Sequence, residues 1–257
     1  MSQKDPLGDR MKQQYEDITR YHLPRRTYTI LRVDGRAFHS VTKHLNRPFD
    51  AGFMLDMDTV ARALCVEVQG AVFAYVQSDE VSVLLQDFES IGTQAWFGGN
   101  IQKMVSVAAG IATGAYGEWS GTSGHFDARV FTIPDPVEVA NYFIWRQRDC
   151  VHNSILSAAQ TVLGHSACQG LNTSQLQELM FQEQGVNWND YEDGCKRGRV
   201  VVKVERLAVA GDIPSGWPPA EPGFRTEWSV QPAPHFTCNP VEFLARTIPL
   251  MPFLIES

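Results

Sequence analysis

The order of strand-like and helix-like segments between residues 26 and 133 constrains the fold of this chain more than any other feature. Residues 26–34 (RTYTILRVD) are rich in β-branched and aromatic side chains and predict a strand, whereas residues 51–70 carry apolar residues at helical spacing and end on a glycine. Two further strand-like runs, AVFAYVQ and VSVLL, are joined through the polar triplet SDE and predict a hairpin.

A small-residue stretch at 98–119 and a strand-like run at 128–133 complete the pattern. The alanines and glycines of the first predict a helix packed closely on a sheet. The resulting order, β-α-β-β-α-β, is that of a ferredoxin-like split βαβ unit, a sheet with two helices on one face. Polymerase palms share this order. We therefore predict an α+β fold whose palm-like catalytic core spans residues 1–134.

The pattern changes to long helices after residue 134, beginning with PVEVANYFIWRQRDCVHNSILSAAQTVLG. Residues 172–185 predict a second long helix, with Thr173 or Ser174 as its N-cap and Gly185 as its end.

Residues 198–209 (GRVVVKVERLAV) return to strand character, and the proline-dense residues 211–234 predict an irregular loop. We predict that residues 135–257 form a helical extension with a returning strand and a proline-rich tail, packed on the core as one catalytic unit.

The composition is that of a globular protein, with 44% hydrophobic and 20% charged residues and no uncharged apolar run of the ~20 residues that a membrane helix needs. The first residues, MSQKDPLGDRMKQQ, are too polar for a signal peptide, so we predict a cytoplasmic protein with no membrane partner.

The cysteines are odd in number and lack CxxC spacing, which argues against a disulfide framework and against a zinc site. We therefore predict reduced thiols at Cys65, Cys150, Cys168, Cys195 and Cys238.

The formal net charge of −7 is unusual for a protein that binds nucleic acid, because phosphate binding is driven by lysine and arginine. Basic residues nevertheless cluster locally, as in WRQRD and CKRGR. A positive patch on an acidic body, or one assembled across subunits, would reconcile the two observations. Scattered solvated charges are the alternative.

Two aspartates fall at strand ends that this topology brings together. Asp34 ends the first strand, and Asp79 lies in the hairpin connection. These strands are neighbours in a split βαβ sheet, so we expect the two carboxylates to meet at one edge. They would repel each other unless cations lay between them, and hard oxygen ligands favour Mg²⁺ that also holds substrate phosphates. The pair predicts a two-metal phosphoryl-transfer site, with the Gly35 carbonyl as a third ligand.

The residues around this pair predict triphosphate binding. Backbone amides after Gly35 could cradle phosphates, and long cations could reach them. The amides are those of Arg36, Ala37, Phe38 and His39, and the cations are Arg47 and Lys103. Each signal is weak alone, because DGR also fits a plain turn and SDE a plain hairpin connection. The prediction depends on both falling at corners of one sheet.

The helix that contains WRQRDCVHN carries a polar face. Arg146, Asp149 and Asn153 lie at helical spacing on one side. Structural caps or core hydrogen bonds would explain Asp149 and Asn153 as well as catalysis does. The later CKRGR segment predicts RNA phosphate contacts, with a charged turn as the alternative; its cations are Lys196, Arg197 and Arg199.

These motifs, taken together, resemble a known family. The segments RVDGRAFHSVTK, YVQSDEVSVLL, HFDARVFTIPD, YFIWRQRDCVHNSI, GHS and NWNDYEDGCKRG follow one another in the order and approximate spacing of the tRNA-histidine guanylyltransferase superfamily. The resemblance runs from about residue 6 to residue 205. It implies a polymerase-like palm that works in reverse, adding nucleotides to the 5′ end of tRNA in the 3′-to-5′ direction.

The resemblance also implies roles for individual residues. Asp34, the Gly35 carbonyl and Asp79 would hold two Mg²⁺ ions, and Glu80 would be the acidic catalytic neighbour. The incoming nucleotide would contact the residues from Arg36 to His39, together with Arg47, Asp50 and Ser78. A second, activating triphosphate would contact Lys103 and Arg129, and the helix with Arg146, Asp149, His152 and Asn153 would lie near the tRNA 5′ end.

The chemistry implied by the family has two stages. AMP from ATP is joined to the tRNA 5′-monophosphate, and the 3′-hydroxyl of an incoming GTP then attacks the activated phosphate. A 5′-triphosphorylated end bypasses the first stage. ATP and GTP are therefore the expected substrates and tRNA the expected partner, and the family further implies a multi-subunit assembly, commonly a homotetramer.

One motif departs from the eukaryotic members, which carry His-Ile-Asn-Asn directly after Asp-Cys. This chain has Val151, His152, Asn153 and Ser154 there, which moves the histidine by one position and by about 100° around the helix. The departure disfavours non-templated addition of guanosine to tRNA-His. Together with NWNDYEDGCKRG it makes the chain more similar to the guanylyltransferase-like branch, which repairs 5′-truncated tRNAs by templated addition.

Two other classes of protein fit parts of the pattern. Nucleotide cyclases share the palm and the paired aspartates, but the hairpin lacks GG[DE]EF. A degenerate palm could serve as a non-catalytic RNA-binding module, although Asp34, Asp79 and Lys103 are all present. An RNA recognition module would need an aromatic RNP-like strand, which the sequence lacks.

Overall fold

The computed structural model describes residues 5–207, 224–237 and 240–252. The strands are β1 (Tyr28–Gly35), β2 (Ala71–Gln77), β3 (Glu80–Leu85), β4 (Phe126–Ile133), β5 (Arg199–Leu207) and β6 (Phe224–Pro232). The α-helices are α1 (Pro6–Met11), α2 (Phe38–Val41), α3 (Ala51–Glu67), α4 (Ile101–Ser120), α5 (Pro136–Leu163), α6 (Thr173–Gln184), α7 (Asp193–Arg197) and α8 (Pro240–Thr247). Shorter turns are the π-helical Lys12–Glu16 and the 3₁₀ segments Asp17–Thr19, Thr42–His44, Trp96–Gly99, Ser166–Cys168 and Trp188–Asp190.

All six strands form one antiparallel sheet in the order β4-β1-β3-β2-β5-β6. The first four strands of the chain have the order of a ferredoxin-like unit, as the sequence predicts. β5 is the predicted returning strand, and it pairs with β2. The predicted boundary at residue 134 falls between β4 and α5, and the sheet continues across it.

The two faces of the sheet bury different helices because side chains alternate along each strand. On one face, Leu31 and Val33 of β1 pack with buried residues of α3 and α4, including Leu64 and Ala108. This is the two-helix face that the sequence predicts. On the other face, Ile30 of β1 joins a second core with Phe73, Tyr75, Leu84 and Phe143. The long helix α5 therefore covers the face that the ferredoxin unit leaves open.

The C-terminal half of α5 leaves the sheet and builds a third hydrophobic cluster with α6 and the segment that follows it. Ile155, Ala158, Leu176, Met180 and Trp188 are buried in it. We call the unit formed by residues 155–191 the helical appendage. Because α5 runs through both the second core and this cluster, it links the sheet rigidly to the appendage.

The structure differs from two predictions made from the sequence. The N-cap of α6 is Asn172, not Thr173 or Ser174, because Asn172 and Gln175 form a reciprocal capping box. The predicted irregular loop at 211–234 contains β6, which pairs along its whole length with β5. Residues 208–223 and Cys238 lie outside the described residues. No helix in the described part of the chain has the length and apolarity needed to cross a bilayer.

Candidate functional site

The end of β1 and the β2–β3 hairpin form one corner of the sheet. Asp34 lies opposite Glu80 in the strand register, and the Gly35 amide donates to the Asp79 carbonyl at 3.0 Å. Ser78 takes a positive φ of 47°, which closes the hairpin in two residues. The corner therefore brings together Asp34 and Asp79, 45 residues apart in the sequence, where the topology predicts that they meet.

Gly35 is required at this corner for steric reasons. A Cβ atom at this position would lie 2.4 Å from the Phe38 ring and 2.9 Å from the Asp79 Cβ. Any side chain would therefore push the end of β1 away from the hairpin. Phe38 itself is buried against the rings of Phe53, Tyr116 and Phe126.

Burial and like charges raise the pKa of both aspartates. For Asp79 the larger cause is burial, and the Asp34 charge adds to it. For Asp34 burial is again the larger cause, followed by the charge of Glu80, while Arg32 and Arg129 act in the opposite direction. Two partly desolvated carboxylates that repel each other are stabilised by a cation between them.

The donor set at this corner fits a hard divalent cation. Within residues 5–207, 224–237 and 240–252 no group of three His, Cys, Asp or Glu side chains is arranged to hold a metal. A cation here would therefore combine Asp34 and Asp79 with backbone oxygen, water and substrate phosphate, which is the way that proteins usually bind Mg²⁺.

The predicted phosphate cradle is only partly available. The Arg36 amide donates to the His125 carbonyl at 2.8 Å, so this amide is already used. Ala37 has a positive φ of 56° and is the N-cap residue of α2. The next amides lie in the first turn of that helix, where amides lack intrahelical acceptors. The side chains of Arg36 and His39 are exposed. The cradle thus reduces to the amides of Ala37, Phe38 and His39.

A cavity of about 500 Å³ opens beside the two aspartates. Its walls are the sheet corner, the loop of residues 42–50 (the 42–50 loop), one face of α5 and the start of α7. Of the predicted site residues, the cavity is lined by Asp34, Arg47, Asp50, Ser78, Asp79, Glu80, Arg146, Asp149, Asn153 and Arg199.

Asp50 shapes the cavity as a structural residue. Its carboxylate caps α3 by accepting from the Phe53 amide at 2.9 Å, and it accepts from the Asn46 amide and side chain at 3.1 and 3.0 Å. These hydrogen bonds, that from Phe53 first, lower the pKa of Asp50. Arg47 Nη2 donates to the Thr42 carbonyl at 3.4 Å, which closes the loop from the other side.

Glu80 and Arg146 form a buried ion pair, which bears on the predicted roles of both residues. Arg146 donates from Nε and Nη2 to the Glu80 carboxylate at 2.7 and 2.6 Å, and the Arg32 guanidinium lies 2.7 Å from the same group. Glu80 and Arg146 are each 5% exposed. Glu80 thus anchors β3 to α5, and this pairing disfavours both a catalytic role for Glu80 and an RNA contact for Arg146.

The anchor extends to the rim of the cavity. Arg146 also donates to Asp149 at 2.9 Å, and Asn153 Nδ2 donates to the same carboxylate at 3.4 Å. Asp149 and Asn153 therefore share the polar face that helical spacing predicts. His152 is exposed on the same helix.

The CKRGR cations are also paired inside the protein. The Lys196 ammonium donates to the Asn189 carbonyl at 2.6 Å and is 7% exposed, and Arg199 pairs with Asp58 at 2.5 Å and is 6% exposed. Arg197 pairs with Asp193. Lys196 and Arg199 thus each have a carboxylate partner within the protein, Asp193 and Asp58, which disfavours the predicted RNA contacts.

The two cations predicted for the activating triphosphate lie at different ends of the sheet. Arg129 Nη2 on β4 is 3.9 Å from the Asp34 carboxylate. Lys103 lies over the Phe97 ring near the start of α4. The part of α4 closest in the fold to Asp34 is further along the helix, at Thr113, whose hydroxyl accepts from the amide of Phe126, the partner of Gly35 in the sheet. Ten helical residues correspond to about 15 Å. Within this chain, Lys103 is not part of the corner.

Sequence reasoning missed Arg32, Ser157 and Asp58. Arg32 could have been found, because it lies two residues before Asp34 and so points to the same face of β1. Ser157 lies on the α5 face that Arg146 and Asn153 define, one turn further along. Asp58 gave no signal, because its partner Arg199 lies 141 residues away.

Comparisons with known proteins show which family this chain is similar to. A family model for tRNAHis guanylyltransferase matches residues 8–134. A solved structure of a bacterial tRNA(His) guanylyltransferase-like protein in complex with ATP is 33% identical, covers 94% of this chain and 99% of its own, and superposes with a TM-score of 0.81.

Two further relatives extend the comparison. A bacterial tRNA(His) guanylyltransferase-like protein in complex with GTP is 34% identical, covers 94% of this chain and 98% of its own, and has a TM-score of 0.78. The tRNA(His) guanylyltransferase of Debaryomyces hansenii is 28% identical over 72% of this chain and 77% of its own length.

Proposed function

Because this chain belongs to the tRNAHis guanylyltransferase family, we propose that it is a nucleotidyltransferase that adds nucleotides to the 5′ end of tRNA in the 3′-to-5′ direction. The observation that carries the proposal is the corner where Asp34 and Asp79 meet beside a cavity of about 500 Å³. ATP and GTP are its proposed nucleotides, as they are the ligands of the bacterial guanylyltransferase-like proteins that it resembles.

The proposed reaction balances as a phosphoryl transfer. The 3′-hydroxyl of the incoming nucleotide attacks the activated 5′ phosphate of the RNA and loses its proton to water. The new P–O ester bond forms as the P–O anhydride bond to AMP or pyrophosphate breaks, and AMP or pyrophosphate leaves. Asp34, Asp79 and the Gly35 carbonyl would hold two Mg²⁺ ions, which supply Lewis acidity at the attacking and leaving oxygens.

The protein groups contribute binding and orientation. The amides of Ala37 to His39 bind phosphate oxygens at the start of α2, and Arg47 and Arg129 neutralise further phosphate charge. Because Arg129 lies 3.9 Å from Asp34, it also limits repulsion at the corner before substrate binds. Ser78 orients the hairpin, and Asp50 holds the loop that carries Arg47.

Template-directed repair of 5′-truncated tRNA is the form of the reaction that we propose. Its support is the shifted histidine of α5 and the greater identity to the bacterial guanylyltransferase-like proteins, 33% and 34%, than to the Debaryomyces hansenii enzyme, 28%. Asp149, His152, Asn153 and Arg197 remain proposed contacts near the RNA end. A homotetramer and a cytoplasmic location also remain predictions.

The experiment compares 5′-labelled tRNAs that lack their first nucleotide with full-length tRNA-His, in the presence of Mg²⁺, ATP and all four nucleoside triphosphates. We expect extension of the truncated tRNAs, with the added base following the template base when that base is changed. Guanosine addition to full-length tRNA-His alone would instead identify a maturation enzyme and contradict the repair proposal.

A further inference from the structure

The 42–50 loop is held by hydrogen bonds within the loop itself and by contacts from other elements. Inside, Asp50 binds Asn46, and Arg47 binds the Thr42 carbonyl. These bonds fix the shape of the loop, and the Asp50 cap fixes its end at the start of α3, but none of these bonds reaches the sheet corner or α5. The loop and α5 both line the cavity, so the position of the loop relative to α5 and the sheet corner affects the width of the cavity.

Two contacts from outside the loop fix this position, one from α5 and one from the end of the helical appendage. The Ser157 hydroxyl of α5 donates to the Pro48 carbonyl at 3.1 Å. The Phe49 ring packs edge-to-face on the Tyr191 ring, with centroids 5.2 Å apart and an interplanar angle of 80°. Consecutive loop residues are thus held by a hydrogen bond and by an aromatic contact.

The elements that provide these contacts are themselves rigid. The Trp188 indole donates to Ser154 at 3.3 Å, and Leu176 and Met180 are buried in the helical appendage. The opposite end of the cavity-lining face of α5 is anchored to the sheet by the Arg146–Glu80 ion pair. The helix α5 therefore contacts both the sheet and the 42–50 loop, and it fixes the position of the loop relative to the corner that carries Asp34 and Asp79.

We propose that Ser157 and Tyr191 are positioning residues that hold the 42–50 loop at the distance from the sheet corner that a nucleoside triphosphate requires. The inference deepens the proposed function and rests on it. Tyr191 does not line the cavity, so it acts on the ligand only through Phe49. The clamp holds the loop in the ground state and in the transition state alike. Its loss therefore weakens nucleotide binding without slowing the bound reaction.

The test uses the full-length protein and GTP in buffer with Mg²⁺. The variants are Ser157→Ala and Tyr191→Ala, and the matched conservative changes are Ser157→Thr, which keeps the hydroxyl, and Tyr191→Phe, which keeps the ring. Ser106→Ala is the control, because it removes a helix hydroxyl that donates only to the Lys103 carbonyl, outside the cavity. GTP affinity is measured without RNA, and KM and kcat are measured in the extension assay.

We expect each alanine variant to weaken GTP binding and raise KM by about fivefold, the equivalent of one net hydrogen bond or aromatic contact, with kcat within twofold of wild type. Threonine and phenylalanine should restore the affinity, and Ser106→Ala should not change it. Unchanged GTP affinity in both alanine variants, or a fall in kcat at constant KM, would overturn the clamp.

Measuring GTP binding and RNA extension separately distinguishes a wrong clamp assignment from a wrong RNA function. If the wild type binds GTP, loses affinity in the clamp variants and yet extends no RNA, the clamp stands and the RNA function is wrong. If the wild type extends RNA and the variants behave like it, the clamp is wrong and the function stands. A wild-type protein that does not bind GTP overturns both.

Discussion

At the scale of single residues, the chemistry of this protein depends on which side chains remain free after the fold has formed. Asp34 and Asp79 are partly desolvated and face each other's charge, so their pKa values rise. Glu80, the neighbour of Asp79, is instead bound by Arg32 and Arg146. Adjacent acidic residues thus have opposite roles, because one lies in a turn and the other begins a buried strand.

We predict that substitutions of Asp50 change the free energy of unfolding in the way expected for a helix-capping residue. Asp50→Ala removes the acceptor for the Phe53 amide and should lower the free energy of unfolding by about 1 kcal/mol, whereas Asp50→Asn keeps a capping oxygen and should retain most of it. Urea denaturation at pH 7 measures the difference. If both variants lose the same stability, the charge and not the cap is what matters.

The same residue gives a pH dependence of known sign. Hydrogen bonds lower the pKa of folded Asp50 below its ordinary value, so its contribution is present above pH ~4 and is lost as the pH falls through the folded pKa. The stability difference between wild type and Asp50→Asn should therefore shrink as the pH falls below about 4. A difference that grows on acidification would contradict this assignment.

Two buried thiols should be unreactive in the native protein. Burial raises the pKa of Cys65 to about 12 and that of Cys150 to about 11. At pH 8 a thiol of pKa 11 is ionised in roughly one molecule in a thousand, and only the thiolate attacks an alkylating agent. Mass spectrometry after iodoacetamide treatment should find both cysteines unmodified in the native protein and modified in urea. Rapid native alkylation of Cys150, which lines the cavity, would show that it is not a buried structural thiol.

At the scale of secondary-structure elements, α5 organises the site. Its first half covers one face of the sheet, and its second half builds the helical appendage. One side of it carries Arg146, Asp149, Asn153 and Ser157 at successive turns, and all four line the cavity. A displacement of this helix would therefore move the ion-pair anchor and the 42–50 loop together.

The Arg146 anchor should make a large contribution to stability. Arg146→Ala leaves the Glu80 carboxylate buried with Arg32 as its remaining charged partner among the described residues, and breaking a buried pair typically costs about 3 kcal/mol. Arg148→Ala on the same helix is the matched control, because Arg148 is exposed, and we expect a change of less than about 0.5 kcal/mol. Chemical denaturation of both variants measures the contrast. Equal stabilities would show that the buried pair does not anchor α5.

At the scale of the whole molecule, sequence periodicity predicted the ferredoxin-like unit well, because each strand and helix of that unit satisfies a local pattern. It also placed Asp34 and Asp79 together, because topology alone determines which strand ends are neighbours. β6 was not predicted, because it follows a proline-dense segment that predicts a loop, and because pairing with β5 is what stabilises this strand. Local propensity does not register that pairing.

The partners of the charged residues could not be predicted from the sequence. Glu80 and Arg146 are 66 residues apart, and Asp58 and Arg199 are 141 residues apart. From the sequence alone a lysine or arginine can be interpreted as a phosphate contact, because the carboxylate that pairs with it in the fold is not known. The same holds for Ser157, Phe49 and Tyr191, whose contacts join the 42–50 loop to α5 and to the helical appendage.

The most direct test of this account is the rate of nucleotide addition to a 5′-truncated tRNA by Asp34→Asn and Asp79→Asn proteins, measured across a range of Mg²⁺ concentrations. Asp9→Asn, an exposed carboxylate on α1, is the control. We predict that both corner variants fold with wild-type circular dichroism and lose at least about 100-fold in rate, a loss of roughly 3 kcal/mol of transition-state stabilisation, while the control retains its rate. Near-wild-type extension by either corner variant would contradict the assignment of catalysis to the paired carboxylates.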